Sequence, residues 1–207
     1  MDYRFPKIIP VGARLLLASA SPRRRELLGG MGLSFEISPC EVDEQVDPTV
    51  HPADATVLLA ARKAKAAYDL FGGEDTIILA SDTLVECDGV PLGKPADEAD
   101  AVRTLMTLSG RAHNVHTGVA VIYRGRLHAA RDTTAVHMRA FTEDEAIAYV
   151  QTGEPMDKAG AYGIQGLGGM LVDGFTGEYD TVVGLPTRLT DLLLCRAIEQ
   201  PEKGEAL

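Results

Sequence analysis

The sequence is short of cysteine, short of positive charge and free of long apolar runs, and each shortage removes a class of function. Three cysteines, Cys40, Cys87 and Cys195, stand far apart with no CxxC spacing. They give neither a zinc site nor a disulfide framework and suit a reducing compartment. Lys and Arg total 20 against 30 Asp and Glu, a formal charge of −10. Such an acidic chain is a poor partner for DNA, RNA or an anionic membrane surface. No apolar run approaches the ~20 residues that cross a bilayer, and the opening Met-Asp-Tyr-Arg-Phe-Pro lacks the apolar core of a signal peptide. These absences predict a cytoplasmic protein without nucleic-acid or membrane partners. Several catalytic signatures are missing as well. No GxGxxG follows the first apolar run and no Gly-x-Ser-x-Gly elbow occurs. Gly89-Val-Pro-Leu-Gly93-Lys94-Pro95 is one residue short of a P-loop and has proline where Ser or Thr must meet magnesium. His113, His116, His128 and His137 lack metalloprotease spacing and read as sheet residues.

What is present describes one globular domain. A chain of 207 residues, 45% hydrophobic and 24% charged, can bury a substantial core. The reading is a single domain over 1–207 with its core at about 14–200. Residues 14–18 read as a buried strand, and Ser21-Pro22 starts a helix that ends at Gly29-Gly30. A second strand is predicted over 34–38, followed by an acidic, proline-punctuated loop over 41–52. Apolar residues at helical spacing from Val57 to Phe71 predict a helix over 54–71, stopped by Gly72-Gly73. A buried strand over 76–80 leads into Ser81-Asp82-Thr83, and Asp88-Gly89 marks a hairpin. A helix over 97–108, strands over 115–123 and 127–138 about Arg124-Gly125, and a Thr142/Glu145 capping box opening a helix to Val150 follow. After a glycine-rich stretch over 153–177, Leu185-Pro186 opens a last helix to about Gln200. Early alternation of helices and strands with an antiparallel middle predicts an α/β fold on a mixed sheet.

Chemistry concentrates in a few segments. Arg23, Arg24 and Arg25 fall in the first turn of the first predicted helix. There the exposed N–H groups and the helix dipole already carry positive partial charge. An anion on that terminus, met by Ser19, the backbone donors and the guanidinium forks, removes the conflict; a solvated basic turn offset by Glu26 is the plainer alternative. Asp82 reads as standing at the carboxyl end of a buried strand, where α/β sheets gather catalytic groups, although Ser-Asp-Thr is also ordinary turn chemistry. Glu41, Asp43 and Glu44 supply carboxylates in the acidic loop. A magnesium site needs one or two carboxylates besides phosphate oxygens and water, so Asp82 with Glu44 would suffice. Lys63, on an alanine-rich helix, and Lys94 are each of a kind more often found as a surface lysine than as a ligand group. Residues 157–169 hold five glycines interleaved with Tyr162, Ile164, Gln165 and Leu167. That composition lets backbone approach a ligand closely and is unlike a flexible linker.

In order, Ser19-Ala-Ser-Pro-Arg-Arg24, Glu41-Val-Asp-Glu44, Ala61-Arg-Lys-Ala64, Ser81-Asp-Thr83, Gly93-Lys-Pro95, Leu108-Ser-Gly-Arg-Ala-His113, Thr117-Gly118, the run from Asp157 to Gly166, and Val183-Gly-Leu-Pro186 resemble the Maf (septum-formation) family of nucleoside triphosphate pyrophosphatases, within the inosine-triphosphatase-like superfamily. The resemblance runs from Leu15 to about Leu194. It implies an elongated mixed sheet flanked by helices, with two lobes around a central cleft. It also implies metal-dependent hydrolysis of a nucleotide to the monophosphate and pyrophosphate. By the same resemblance Asp82 takes the proton-acceptor position, and Arg23, Thr83 and Gln165 take positions where branches differ in substrate. Arg, Thr and Gln there look like the branch acting on dTTP and UTP, not 7-methyl-GTP. Ser19, Arg23, Arg24, Lys63 and Lys94 are implied to hold phosphate. Glu44 and Asp82 are implied to hold Mg²⁺ or Mn²⁺, and a homodimer is implied. A nucleotide-binding cell-division regulator with vestigial hydrolysis and a monophosphate phosphatase are the competing readings. The intact carboxylate and lysine set favours the enzyme over the first.

Overall fold

The computed structural model describes residues 9–200 and 203–207. Strand β1 (Arg14–Leu17) runs into helix α1 (Pro22–Gly30), and strand β2 (Glu36–Ile37) follows. Helix α2 (Pro52–Phe71), strands β3 (Thr76–Cys87) and β4 (Val90–Leu92), and helix α3 (Glu98–Leu108) come next. Strands β5 (Ala112–Tyr123) and β6 (Arg126–Met138) precede helix α4 (Glu143–Val150). Three short 3₁₀ turns, strand β7 (Val172–Thr176), helices α5 (Tyr179–Val183) and α6 (Thr187–Glu199), and strand β8 (Glu205–Ala206) complete the described residues.

The strands form one mixed sheet in the order β2-β1-β3-β5-β6-β7, with β4 added to β3 and β8 to β6. The β1 strand is parallel to β2 and β3, and the remaining pairings are antiparallel. Strands β5 and β6 are 12 and 13 residues long, about 40 Å at ~3.4 Å per residue, and they carry two separately packed ends. At one end α2 lays Ala60, Ala64 and Ala67 on Ile78, Ala80, Ala120 and Ile122, while α6 covers the other face with Leu193, Leu194 and Ala197 on Leu79, Val119 and Val121. At the other end α3 and α4 bury Leu105, Leu108, Ala146 and Val150 with Val85, Val115 and Val136. The result is the predicted mixed α/β architecture with a lobe at each end of a long sheet.

Local signals act where they were read. Ser21 caps α1 with Pro22 in its first turn, Thr142 and Glu145 form a reciprocal capping box, and Asp88 and Gly89 turn with φ of 52° and 80°. One corrected boundary bears on the site. Asp82 does not end its strand, because β3 continues to Cys87. Its neighbour β1 pairs with β3 only as far as Leu79, and β4 joins the same edge of β3 from Val85 onward. The opposite edge stays paired with β5 throughout this region, with Asp82 across from Gly118. Residues 80–84 therefore line a gap on one edge of a continuous strand, and Asp82 sits in that gap.

Candidate active site

The gap in the β3 edge opens into a cavity of about 980 Å³ between the lobes, and all nine side chains singled out from the sequence line it. Its floor is Asp82, 7% exposed. Helix α2 comes close enough to reach this carboxylate because Gly118 has no side chain. A Cβ there would stand 2.3 Å from the Thr56 carbonyl oxygen. Two turns further along α2, the Lys63 Nζ lies 2.5 Å from Asp82 Oδ1 and 2.7 Å from Glu44 Oε1. Arg62 fixes the acidic loop by donating to the Asp43 and Gln45 carbonyls at 3.1 and 2.6 Å, which delivers Glu44 to Lys63. Of the three loop carboxylates, Glu44 is the one that reaches the cavity wall.

These contacts set the charges. Burial pushes the Asp82 carboxyl above its ordinary value, against the opposing pull of Lys63 and Arg24. Glu44 is held low, first by the Lys63 hydrogen bond. The site thus has one carboxylate disposed to take a proton and one disposed to stay charged.

The first-turn arginines separate into different roles. Arg24 turns inward, donating from Nε to the Gly184 carbonyl at 2.9 Å, from Nη1 to Ser19 Oγ at 3.3 Å and from Nη2 to Thr83 Oγ1 at 3.2 Å. Burial lowers its pKa. A guanidinium has five N–H groups, so two remain for a ligand. Arg23 lines the cavity and makes a long 3.8 Å ion pair with exposed Asp157. Arg25 is exposed. Lys94 lines the rim and is itself exposed.

Thr83 shows what hydrogen-bond counting adds. Its hydroxyl lies 3.0 Å from that of Thr117, and the Thr117 hydroxyl donates its one proton to the Thr181 carbonyl at 2.7 Å. Thr83 must therefore donate to Thr117 while accepting from Arg24. No proton on Thr83 is left for a ligand. Across the cavity Gln165 is exposed at the tip of a turn closed by Gly166 N–H donating to the Gly163 carbonyl at 3.3 Å. Glu154, which the sequence did not bring out, also lines the cavity, as does Tyr162 of the glycine-rich stretch. The Tyr162 hydroxyl is 2.8 Å from His113 Nε2, and burial lowers the His113 pKa to about 4.

The donors present fit a hard divalent cation brought in with a phosphate. Asp82 and Glu44 both turn carboxylate oxygens towards Lys63, and oxygen donors suit Mg²⁺ or Mn²⁺. Among the described residues no group of three or more His, Cys, Asp or Glu could hold a metal ion, so phosphate oxygens and water must complete any coordination shell.

Comparison with known proteins places the chain in context. The family described as Maf-like protein matches residues 14–197. A protein of Moorella thermoacetica named dTTP/UTP pyrophosphatase is 51% identical over 184 residues, covering 88% of this chain and 94% of that protein. A Thermococcus kodakarensis protein of the same name is 47% identical, covering 84% of this chain and 92% of that one. Likeness to the Staphylococcus aureus Ham1 structure is weaker, at a TM-score of 0.47 and 14% identity over 92% of this chain and 100% of that one.

Proposed function

The chain belongs to the Maf-like protein family, and from that membership we propose that it is a nucleoside triphosphate pyrophosphatase acting on dTTP and UTP. The observation that carries this reading is the meeting, in one cavity, of buried Asp82 with Lys63 and of anchored Arg24 at the α1 N-terminus. The two matched relatives bear that activity in their names. Water attacks the α-phosphorus; its oxygen bonds to phosphorus, the bond to the bridging oxygen breaks, and pyrophosphate leaves with the electron pair. Asp82 accepts the proton that water gives up, and the rise in its pKa makes it a better base than a free aspartate. Lys63 holds that carboxylate in place and offers positive charge beside the reacting phosphate. Arg24, Arg23, Lys94 and Ser19 take the phosphate chain at the start of α1. Thr83 acts through Arg24, because its hydroxyl proton is already used. Mg²⁺ or Mn²⁺ held by Asp82 and Glu44 would neutralise phosphate charge and acidify the attacking water.

Gln165 reads the base in this account. A uracil or thymine edge presents acceptor, donor, acceptor, and a glutamine amide can meet an adjacent pair of them. Cytosine reverses two of those groups, and buried mismatches cost ~1–3 kcal/mol each. The same reading assigns a homodimer in the cytoplasm. No helix among the described residues is long and apolar enough to cross a membrane. A panel of dTTP, UTP, CTP and 7-methyl-GTP tests the whole. The reading requires monophosphate and pyrophosphate as products, with dTTP and UTP turned over well ahead of the others. Orthophosphate as product, or a ranking led by a purine, would overturn it.

A further inference from the structure

The turn that carries Gln165 is held from beneath by a carboxylate that no side-chain motif announces. Glu154 Oε2 accepts from the Leu167 N–H at 2.9 Å, and Oε1 accepts from the Gly168 N–H at 3.0 Å and the Tyr149 hydroxyl at 2.8 Å. The Tyr149 oxygen in turn accepts from the Gly163 N–H at 3.1 Å. The four-residue turn over 163–166 is thus tied at its start through Tyr149 and just past its end through Glu154. The backbone wraps so tightly that a Cβ on Gly166 would lie 2.5 Å from both Glu154 oxygens, and one on Gly168 would lie 2.4 Å from the Tyr149 hydroxyl. All three side-chain oxygens of the pair accept from loop N–H groups, and Gln165 is the polar side chain this turn presents to the cavity.

We propose that Glu154, with Tyr149, is the positioning residue for base selection: the pair fixes the backbone from which Gln165 meets the pyrimidine edge. This rests on the reading of Gln165 given above. Proton transfer lies on β3 and α2, and the phosphate-binding groups lie on Ser19, α1 and Lys94, all outside the 163–168 turn, so loosening the turn should erode discrimination before it erodes chemistry.

Two variants probe the tie differently. Glu154→Gln keeps one acceptor oxygen but turns an amide NH₂ towards a backbone N–H, and Tyr149→Phe removes the bridge to Gly163. The readout is the ratio of kcat/KM for UTP to that for CTP, in each variant, in Gln165→Ala and in Glu154→Gln/Gln165→Ala. The ratio should fall about tenfold in Glu154→Gln, with the loss of one well-placed buried hydrogen-bond pair. The change should come through KM, with kcat for UTP within about threefold of wild type. Residues acting as one unit are non-additive, so the double variant should match Gln165→Ala alone. A merely structural role would lower both substrates alike and add to Gln165→Ala. A ratio within twofold of wild type in both Glu154→Gln and Tyr149→Phe overturns the proposal, as does simple additivity. Amide hydrogen exchange over 163–168 gives a check without substrate: exchange should be at least tenfold faster in Glu154→Gln, and unchanged exchange overturns the tie itself. A wild-type enzyme that releases no pyrophosphate would instead refute the proposed activity and leave the exchange result standing.

Discussion

Replacing Gly118 by alanine should cost both stability and turnover, although the change adds a single methyl group. The new Cβ would stand 2.3 Å from the Thr56 oxygen, 2.4 Å from its carbonyl carbon and 2.7 Å from the Val57 nitrogen, where ordinary contact begins at 3.4 Å. All three atoms belong to the α2 backbone, so no side-chain rotation relieves the overlap. The helix must lift by about 1 Å, and overpacking of this kind costs ~1–3 kcal/mol. For a domain of this size that is roughly 3–10 °C in melting temperature. The same lift carries Lys63 away from Asp82, now 2.5 Å distant. A displacement near 1 Å can lower turnover by up to ~100-fold, and the flexible lysine stem will recover part of that. Thermal melts and initial rates with UTP measure the two effects, with Gly174→Ala as control because nothing lies within 4 Å of its added Cβ. If Gly118→Ala melts within 1 °C of wild type and keeps kcat within twofold, the close seating of α2 on the sheet is not what places Lys63.

Other outcomes follow from the same geometry. Asp82→Asn should reduce kcat by ~10²–10⁴, the usual worth of a positioned base, with little change in melting; activity within a few-fold of wild type would remove Asp82 from the chemistry. Excess chelator should abolish turnover, and Mg²⁺ or Mn²⁺ should restore it where Zn²⁺ does not, given a site of carboxylates alone; full activity in chelator would contradict the assignment. His113 gives the pH dependence. Its folded pKa of about 4 lies below the ordinary 6.5, so between those values the unfolded chain binds a proton that the folded one does not. Stability should therefore fall as pH drops through that window, by ~3 kcal/mol in all. Denaturant titrations at several pH values should show a shallower acid slope in His113→Gln, and equal slopes would refute the account.

How much of this was legible in the sequence depends on the range of the interaction. Ser21-Pro22, Thr142 with Glu145, and Asp88-Gly89 act through backbone groups within a few residues, and each reads correctly by local chemistry. The nine residues named from the sequence lie in compact motifs, and the fold brings all nine to one cavity. Asp82 was misread as a strand end because the gap beside it depends on where β1 stops and β4 begins, which is a matter of pairing and not of composition. Helix α5, five residues between Gly177 and Gly184, is too short to show a period. Glu154 was invisible for a different reason. Its partners at 167 and 168 are backbone N–H groups, and the spacing of Gly163, Gly166 and Gly168 was the one trace it left.

The anchoring of Arg24 has a consequence for how the protein is made. Its Nε meets the Gly184 carbonyl across 160 residues, and Ser81 reaches the same carbonyl across 103, at 2.9 Å in each case. Contacts of such sequence separation close late in folding, because loop closure must precede them. A chain growing from its N-terminus holds Arg24, Lys63 and Asp82 long before the carbonyl that fixes the guanidinium has been synthesised. A nascent chain that stops short of Gly184 therefore carries most of the side chains of the site without the anchor for Arg24, and nucleotide capture becomes a property of the nearly finished polypeptide.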